Sequence, residues 1–456
     1  KSQTGHMLGA SSAVGVISCV LGMNDGWLPP TVNYTSQRSG CELDVIPNEA
    51  RPADWSCFMA QSAAFAGANA VLIGGKVRES AVARTNATDD VLVVSGVGIV
   101  SPLGCGFETF AEAVNDSKSG IVDINEFDVQ RCRQKTAGMI RDFKPRKIMP
   151  SLKLRRVDRV AAFATISASL ALKHAGCWPI ESPDRLGLVV GVCRGAASSY
   201  EKYLASVTDS QWHKASAVYF PNLVMSSVGG QVSASLGIQG ITSSLVGGTA
   251  AGLQAFIHAT ELFRRNPNQD CCVVLASDEL APFYYRLLDR RDEHDQPEAT
   301  PLPLGEGSAA FVIERASTAR ARGATILATI RGTGLTSDGA EALSARTAVS
   351  DGNPEWLARA HQAAMTQAQL QAAEIDRVYT SRQGRISHDT RETAAVRDAV
   401  GDVPQHSVNE LTGVAEASSS LFNLAAALAS KSDKSENVLV SATGDDGANA
   451  SIVLGI

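Results

Sequence analysis

Residues 1–12 read Lys-Ser-Gln-Thr-Gly-His-Met-Leu-Gly-Ala-Ser-Ser, and residues 409–420 read Asn-Glu-Leu-Thr-Gly-Val-Ala-Glu-Ala-Ser-Ser-Ser. Thr4-Gly5 and Ser11-Ser12 recur as Thr412-Gly413 and Ser419-Ser420, whereas Lys1 and His6 give way to Asn409 and Val414. A second matched pair closes each copy: Gly67-Ala68-Asn69-Ala70 and Gly447-Ala448-Asn449-Ala450, each leading into an apolar run. The offset is 408 at the first pair (409 against 1) and 380 at the second (447 against 67), so the second copy is 28 residues shorter between them. Such a repeat constrains the fold before anything else in the chain does, because a motif written twice at long spacing predicts one domain present as one and a fraction copies. Chance similarity of two short matches is the alternative. Under the repeat reading, the second copy keeps the backbone frame and loses the polar groups.

Composition narrows the class. The 456 residues are 44% hydrophobic and 19% charged, and 41 basic against 47 acidic side chains leave a net charge of -6, which argues against nucleic acid or an anionic membrane as the main partner. Nine cysteines are scattered without a Cys-x-x-Cys pair or metal-like His/Cys spacing, so we expect reduced thiols of a cytoplasmic protein, used as packing, and no metal. Ser2–Asn24 carries no Asp, Glu, Lys or Arg, but its glycines, serines and His6 argue against a lipid span or signal peptide. We expect a buried Gly/Ala-rich helix there, in a chain that starts inside a larger gene product.

Strands and helices alternate along the rest. Apolar runs at Val91–Val100, Leu186–Cys193, Cys271–Ala276, Ala309–Glu314, Ile326–Ile330 and Val378–Thr380 read as strands, with two more at the C-terminus. Helical periodicity falls at Phe107–Val114, Arg159–His174, around Leu253–Leu262, and at Glu355–Leu370, Asp389–Val400 and Leu421–Ala429. Such alternation predicts parallel sheets covered on both faces. The polar stretch Glu79–Asp90 is the expected linker between copies.

The Lys-x-x-x-Gly-His element at Lys1–His6, Gly305-Glu306-Gly307-Ser308 and the closing Gly-x-Asn-Ala strands together resemble the β-ketoacyl-acyl carrier protein synthases. The resemblance implies an α/β thiolase-like fold, five-layered αβαβα with two pseudo-symmetric halves. It implies a C-terminal fragment of a first ketosynthase at 1–78, a linker at 79–90 and a ketosynthase-like domain at 91–456, with halves of about 91–316 and 322–456. In that family a thiolate at a helix N-terminus accepts the acyl chain, two histidines activate and decarboxylate the extender, and a lysine supports the charge network. Lys1 and His6 match the lysine and second histidine, and Phe65 matches the gating phenylalanine. In the second domain the nucleophile position falls on Thr249, the first histidine on Ser381, the lysine on Asn409 and the second histidine on Val414, with Asp445 in place of the gate. An alcohol at Thr249 cannot form a thioester, and its proton is held too tightly for a helix end to release.

The resemblance therefore implies a partner subunit similar to a chain length factor, in a synthase that performs decarboxylative Claisen condensation in fatty acid, aryl polyene or polyketide synthesis. Its expected partners are an acyl carrier protein presenting phosphopantetheine thioesters, the acyl chain and an active ketosynthase docked as in a ketosynthase-type dimer; no further cofactor is expected. Two alternatives stay open: a decayed ketosynthase, and a non-catalytic scaffold that binds acyl chains or the carrier protein. Phe220, Leu223 and Met225 are candidates to line the acyl tunnel, or else ordinary core. His388 with Asp389 is expected to cap a helix, and His213, His294 and His361 to be solvated. Cys193, Cys271 and Cys272 are expected to pack rather than react, and the role of 290–303 is open.

Overall fold

The computed structural model describes residues 1–64, 67–77, 90–153, 157–209, 215–295, 301–339, 353–430 and 434–456. The chain divides into two compact units, Lys1–Thr85 and Asn86–Ile456. The expected linker lies almost wholly, and Phe65 wholly, outside the described residues.

The first unit holds helix α1 (Ala10–Asp25) and an antiparallel hairpin of β1 (Cys57–Ala63) and β2 (Asn69–Gly75). The helix ends at Gly26, whose φ of 72° is one that side-chain-bearing residues rarely adopt. The Gly/Ala-rich helix was expected to be buried, but only Ser11 and Met23 are; Ile17 and Leu21 face solvent. An apolar helix is buried by what packs on it, and within this unit the hairpin and the chain around Trp27 pack on α1 without covering Ile17 or Leu21.

The second unit is built on ten strands in one row. In chain order they are β3 (Leu92–Ser101), β4 (Leu186–Val192), β5 (Thr242–Val246), β6 (Cys271–Asp278), β7 (Gly307–Arg315), β8 (Ala328–Ser337), β9 (Arg377–Tyr379), β10 (Gln405–His406), β11 (Asn437–Thr443) and β12 (Ala448–Gly455). The row runs β5-β4-β6-β7-β3-β8-β12-β11-β9-β10. Each half therefore orders its strands third, second, fourth, fifth, first, and the two first strands meet at the centre through only two residue pairs, Ala328 with Val94 and Thr329 with Val93. Pairings within each half follow one pattern, parallel for the outer three strands and antiparallel for the inner ones. Purely parallel sheets were expected; the fourth strand hands over directly to an antiparallel fifth, and an apolar run looks the same in either direction.

Helices complete five layers. α3 (Arg159–His174) and α5 (Ser227–Leu236) cover the outer face of the first sheet, and α8 (Pro354–Ala368) backed by α9 (Ile386–Val400) covers that of the second. α6 (Ala251–Arg265) and α10 (Ala417–Ala429) lie between the sheets and touch both. Alternation along β3 divides its side chains accordingly: Val94, Val97 and Ile99 join the central core and Val100 the outer one. α10 is apolar or small nearly all round, as a helix sandwiched between two sheets must be.

Glycines set how closely the outer helices approach. A Cβ on Gly98 of β3 would lie 2.0 Å from the Ser167 carbonyl oxygen of α3, and one on Gly334 of β8 would lie 2.0 Å from the Ala360 carbonyl oxygen of α8. The first strand of each half thus presses backbone against helix backbone at the same place. Gly98→Ala is expected to lower unfolding free energy by about 2–3 kcal/mol, because a helix carbonyl cannot swing aside as a flexible side chain can. Urea denaturation of the chain checks this; a loss under about 0.5 kcal/mol would mean the layers can separate freely.

Candidate active site

Thr249 stands in the turn between β5 and α6, and it is 6% exposed. Its hydroxyl donates to the carbonyl oxygen of Thr443 at 2.6 Å, so the side chain is tied to the end of β11. The preceding peptide N–H, of Gly248, donates to the Asp446 carboxylate at 2.9 Å. A carboxylate suits this end of the helix electrostatically, since the peptide dipoles of α6 point their positive end there.

A cavity of about 380 Å³ opens beside the turn. Thr249, Gly247 and Gly248 form one wall, Gln383 and Arg385 come from the loop before α9, and Val414 and Glu416 from the segment before α10. Cys193, Arg194 and Tyr284 close another side, with Asp445 and Asp446 at the rim. Thr249 and Val414 thus share the cavity, whereas Ser381 and Asn409 are not among the residues that line it. Ser381 is 1% exposed and donates to Glu392 at 3.0 Å while accepting from the Thr443 N–H at 3.2 Å. Asn409 is fully buried and its amide donates to the Arg382 carbonyl at 2.8 Å. Lys1 and His6 lie in the other unit, both exposed, with His6 Nδ1 3.0 Å from the Ser11 hydroxyl.

The polar groups of the cavity are matched to one another. Arg194 pairs with Glu416 and stacks on the Tyr284 ring, and Arg385 pairs with Asp445 at 3.3 Å. Glu416 holds a φ of 50°, a strained value for a side-chain-bearing residue, and its carboxylate reaches the Cys193 thiol at 3.5 Å. Beneath them Asp278 is buried and accepts the N–H groups of Cys193, Arg194 and Ala417; burial still pushes its carboxyl up to about 7. Burial, with the Glu416 and Asp278 carboxylates beside it, pushes the Cys193 thiol far up, so it is no thiolate.

Sequence reasoning missed the Arg194–Glu416 pair, Tyr284, Asp278 and Asp446. The first three come together only through the fold; Asp446 was visible in the sequence but its target was not. His388 and Asp389, expected from sequence to cap a helix, do not: both lie within α9, whose N-terminus has no side-chain capping bond. The Asp389 carboxylate receives the N–H groups of Gln383 and Gly384, both at 2.9 Å, and so fastens the loop that carries Ser381. His361, expected in solvent, is fully buried, while His213 and the side chain of His294 lie outside what is described. All nine cysteines are free thiols. Of the 290–303 segment, α7 (Pro282–Asp295) covers the start, and Pro301 with Leu302 reaches the cavity. Phe220 and Met225 are 45% and 38% exposed and Leu223 is half-buried, so none is core, and none lines the cavity. Among the described residues no group of three or more His, Cys, Asp or Glu could hold a metal ion, and no helix is long and apolar enough to cross a membrane.

The signature of the β-ketoacyl synthase N-terminal domain matches residues 89–319, half of the chain, and that of the C-terminal domain matches residues 1–35 and 327–434. The chain belongs to the β-ketoacyl synthase family. Among its relatives is the tetracenomycin polyketide synthase ketoacyl synthase alpha subunit of Streptomyces glaucescens, 29% identical over 72% of this chain and 82% of that protein. The 3-oxoacyl-[acyl-carrier-protein] synthase 2 of Staphylococcus aureus is 26% identical over 71% of this chain and 81% of its own length. In fold the chain is similar to the ishigamide ketosynthase/chain length factor, with a TM-score of 0.73 at 20% identity over 81% of this chain and 99% of that one. It is also similar to a type II polyketide ketosynthase solved with its acyl carrier protein, with a TM-score of 0.68 at 19% identity over 81% of this chain and 99% of that one. These likenesses are those of the thiolase-like fold, five-layered with two pseudo-symmetric halves.

Proposed function

We propose that the second unit is a catalytically degenerate ketosynthase domain that works as the partner of an active one in a cytoplasmic synthase, taking acyl chains from an acyl carrier protein and shaping the tunnel in which they grow. In this reading the first unit is the C-terminal part of the active ketosynthase. The observation that carries it is the state of the Thr249 turn. The hydroxyl is committed to the Thr443 carbonyl, the adjacent N–H to Asp446, and neither Ser381 nor Val414 supplies an imidazole. The elbow, the cavity and the two-sheet frame persist around it, which fits selection for a partner role better than loss of the domain.

Thr249→Cys alone should therefore leave the second unit without condensing activity, because no base stands beside the new thiol. The readout is elongation of an acyl thioester in the chain with His6 changed to Ala, which removes the other unit's contribution. Measurable elongation by this double variant would contradict the assignment.

The tunnel reading is tested by product length. β5 is an edge strand, and Phe220 and Met225 lie exposed on the segment preceding α5, the helix that packs beside it. In a ketosynthase-type dimer that face meets the active subunit, where side chains can set the floor of its tunnel. Shrinking Phe220, Leu223 or Met225 to Ala is expected to shift products of the full assembly by one or more extender units, as mass spectrometry would read. An unchanged distribution in all three variants, with activity intact, would reject the measuring role.

A further inference from the structure

Helix α3 ends in a bonded turn that brings the chain back to the sheet. The N–H of Gly176 donates to the Lys173 carbonyl at 3.0 Å and that of Cys177 to the Leu172 carbonyl at 2.8 Å, with Gly176 at a φ of 68°. Such an ending turns the residue after the glycine inward, against the apolar side of its own helix. Cys177 accordingly packs on the outer core of the first sheet, with its Sγ 3.9 Å from the Ala175 carbonyl oxygen.

Cys271 opens β6 and packs on the same outer core, whereas Cys272 belongs to the central one, as alternation along a strand requires. Glu314 stands directly opposite Cys271 on β7, so the two side chains share a face. Arg322 joins this strand pair to the turn: its guanidinium donates to both Glu314 oxygens, at 2.9 and 2.5 Å, and to the Ala175 carbonyl at 2.6 Å. The two thiols meet there in a side-chain hydrogen bond. Both are half-buried, and Cys177 lies between the exposed Gly176 and Trp178, within reach of water. The bond from Cys271, with the Arg322 guanidinium nearby, holds the Cys177 thiol below its ordinary value against the effect of burial, while the same bond and burial hold Cys271 well above it. One sulfur is thus the better nucleophile and its neighbour keeps the proton. Cys272 shows the contrast: it is buried, and burial pushes its thiol up to about 12.

We propose that Cys177 and Cys271 form a reversible modification site, a dithiol that hydrogen peroxide oxidises to a disulfide. The Cys177 thiolate attacks one peroxide oxygen and the O–O bond breaks; the departing hydroxide takes up the proton that Cys177 released and leaves as water, so that Cys177 becomes a sulfenic acid. The Cys271 sulfur then attacks the Cys177 sulfur, the S–O bond breaks, and the hydroxide lost there takes the Cys271 proton. Two thiols give up two electrons, and one peroxide becomes two waters. The sulfurs close to about 2.05 Å in the product, a movement open to Cys177 because it lies in irregular chain beyond the helix. A small thiol reverses the step by exchange. The site sits at the opposite end of β6 from Asp278, about 20 Å away along the strand at 3.4 Å per residue, so it does not depend on the Thr249 cavity or on the partner role.

The test treats the reduced full chain with a few equivalents of hydrogen peroxide, then alkylates, digests and maps it without reduction. A linked pair of peptides carrying Cys177 and Cys271 is expected, about 2 Da lighter than the two reduced peptides together, because two thiol hydrogens are lost. It should form about tenfold sooner than any change at the other seven of the nine cysteines, and dithiothreitol should return both peptides. In Cys271→Ser, dimedone, which labels sulfenic acids, should mark Cys177; in Cys177→Ser, position 271 should stay unmodified. A different pair linking first, Cys177 passing straight to sulfinic acid in the wild-type chain, equal dimedone labelling of Cys177 with and without Cys271, or no reaction at either position would overturn the proposal. The peptide map is made on the wild-type chain, so a misfolded variant would not spare it.

Discussion

Glu306→Ala is expected to lower the unfolding free energy of the chain by about 3–5 kcal/mol, the cost of removing one partner from a buried ion pair. Glu306 is fully buried ahead of β7, and its two oxygens accept the N–H groups of Ile140 at 3.0 Å and Leu280 at 3.2 Å. Arg159 at the start of α3 donates to both oxygens, at 2.5 and 3.2 Å, and to the Ile140 carbonyl at 2.7 Å. One carboxylate therefore holds two separate chain segments and the start of a helix. Truncation would strand two peptide N–H groups and leave Arg159, 38% exposed at its side chain, to turn toward water. Glu306→Gln keeps an acceptor for only one of the two N–H groups and turns an NH2 toward the other, so it should cost less than Glu306→Ala by only about 1 kcal/mol. Guanidinium denaturation followed by circular dichroism would measure both; equal losses would mean that the charge, rather than the acceptors, carries the effect.

His361 makes stability depend on pH. It lies in α8, fully buried, with Nδ1 2.7 Å from the Ser451 hydroxyl and no partner for Nε2 among the described residues. Burial lowers its pKa from 6.5 to about 3. The unfolded chain takes up a proton near pH 6.5 that the folded chain refuses until about pH 3, so the contribution is complete above 6.5 and is lost as pH falls through that window, in total by roughly 5 kcal/mol. Carboxylates titrate over part of the same range, so the informative quantity is the difference between the wild-type chain and His361→Gln, which has no such proton to bind. The variant should start less stable at pH 7.5, having lost a fitted ring, and converge on or pass the wild type by pH 4. Parallel stability curves from pH 7.5 to pH 4 would show that the imidazole is hydrated in the folded state.

Much of this was legible in the sequence wherever one segment carries its own signal. The Ala-rich α3 was expected over the residues it occupies, and β3, β4, β6 and β12 announce themselves as runs of Val, Ile, Leu and Ala. β5 carries no apolar run of its own, because Thr242-Ser243-Ser244-Leu245-Val246 is small and polar, as a sheet-edge strand with little to cover it can be. α7 was missed because its Arg, Asp and Tyr residues mask a short apolar face, and α5 because its paired glycines read as a loop. His361 looked solvated because its sequence neighbours are polar, but it shares a helix face with Leu357, Ala358, Ala364 and Met365. The site was legible at Thr249 and Val414, which line one cavity as positions equivalent in the resemblance should. It was illegible at Arg194 and Glu416, which lie 222 positions apart with no periodicity to connect them.

The strand order has a consequence in time. Within the first half, the first strand waits for the fifth, and Leu92 of β3 precedes Gly307 of β7 by 215 residues. At about 5–20 residues per second on the ribosome, β3 spends roughly 10–40 s before its antiparallel neighbour exists, and longer before β8 arrives on its other edge. Throughout that interval Val93, Val94 and Val97, all buried in the finished molecule, belong to a strand whose edges are open except where Gly104–Cys105 turns back on Val100 and Ser101. Synthesis of this chain therefore passes through an interval in which the strand at its centre is the segment most open to wrong pairing, and a chaperone that holds extended apolar segments would act there first.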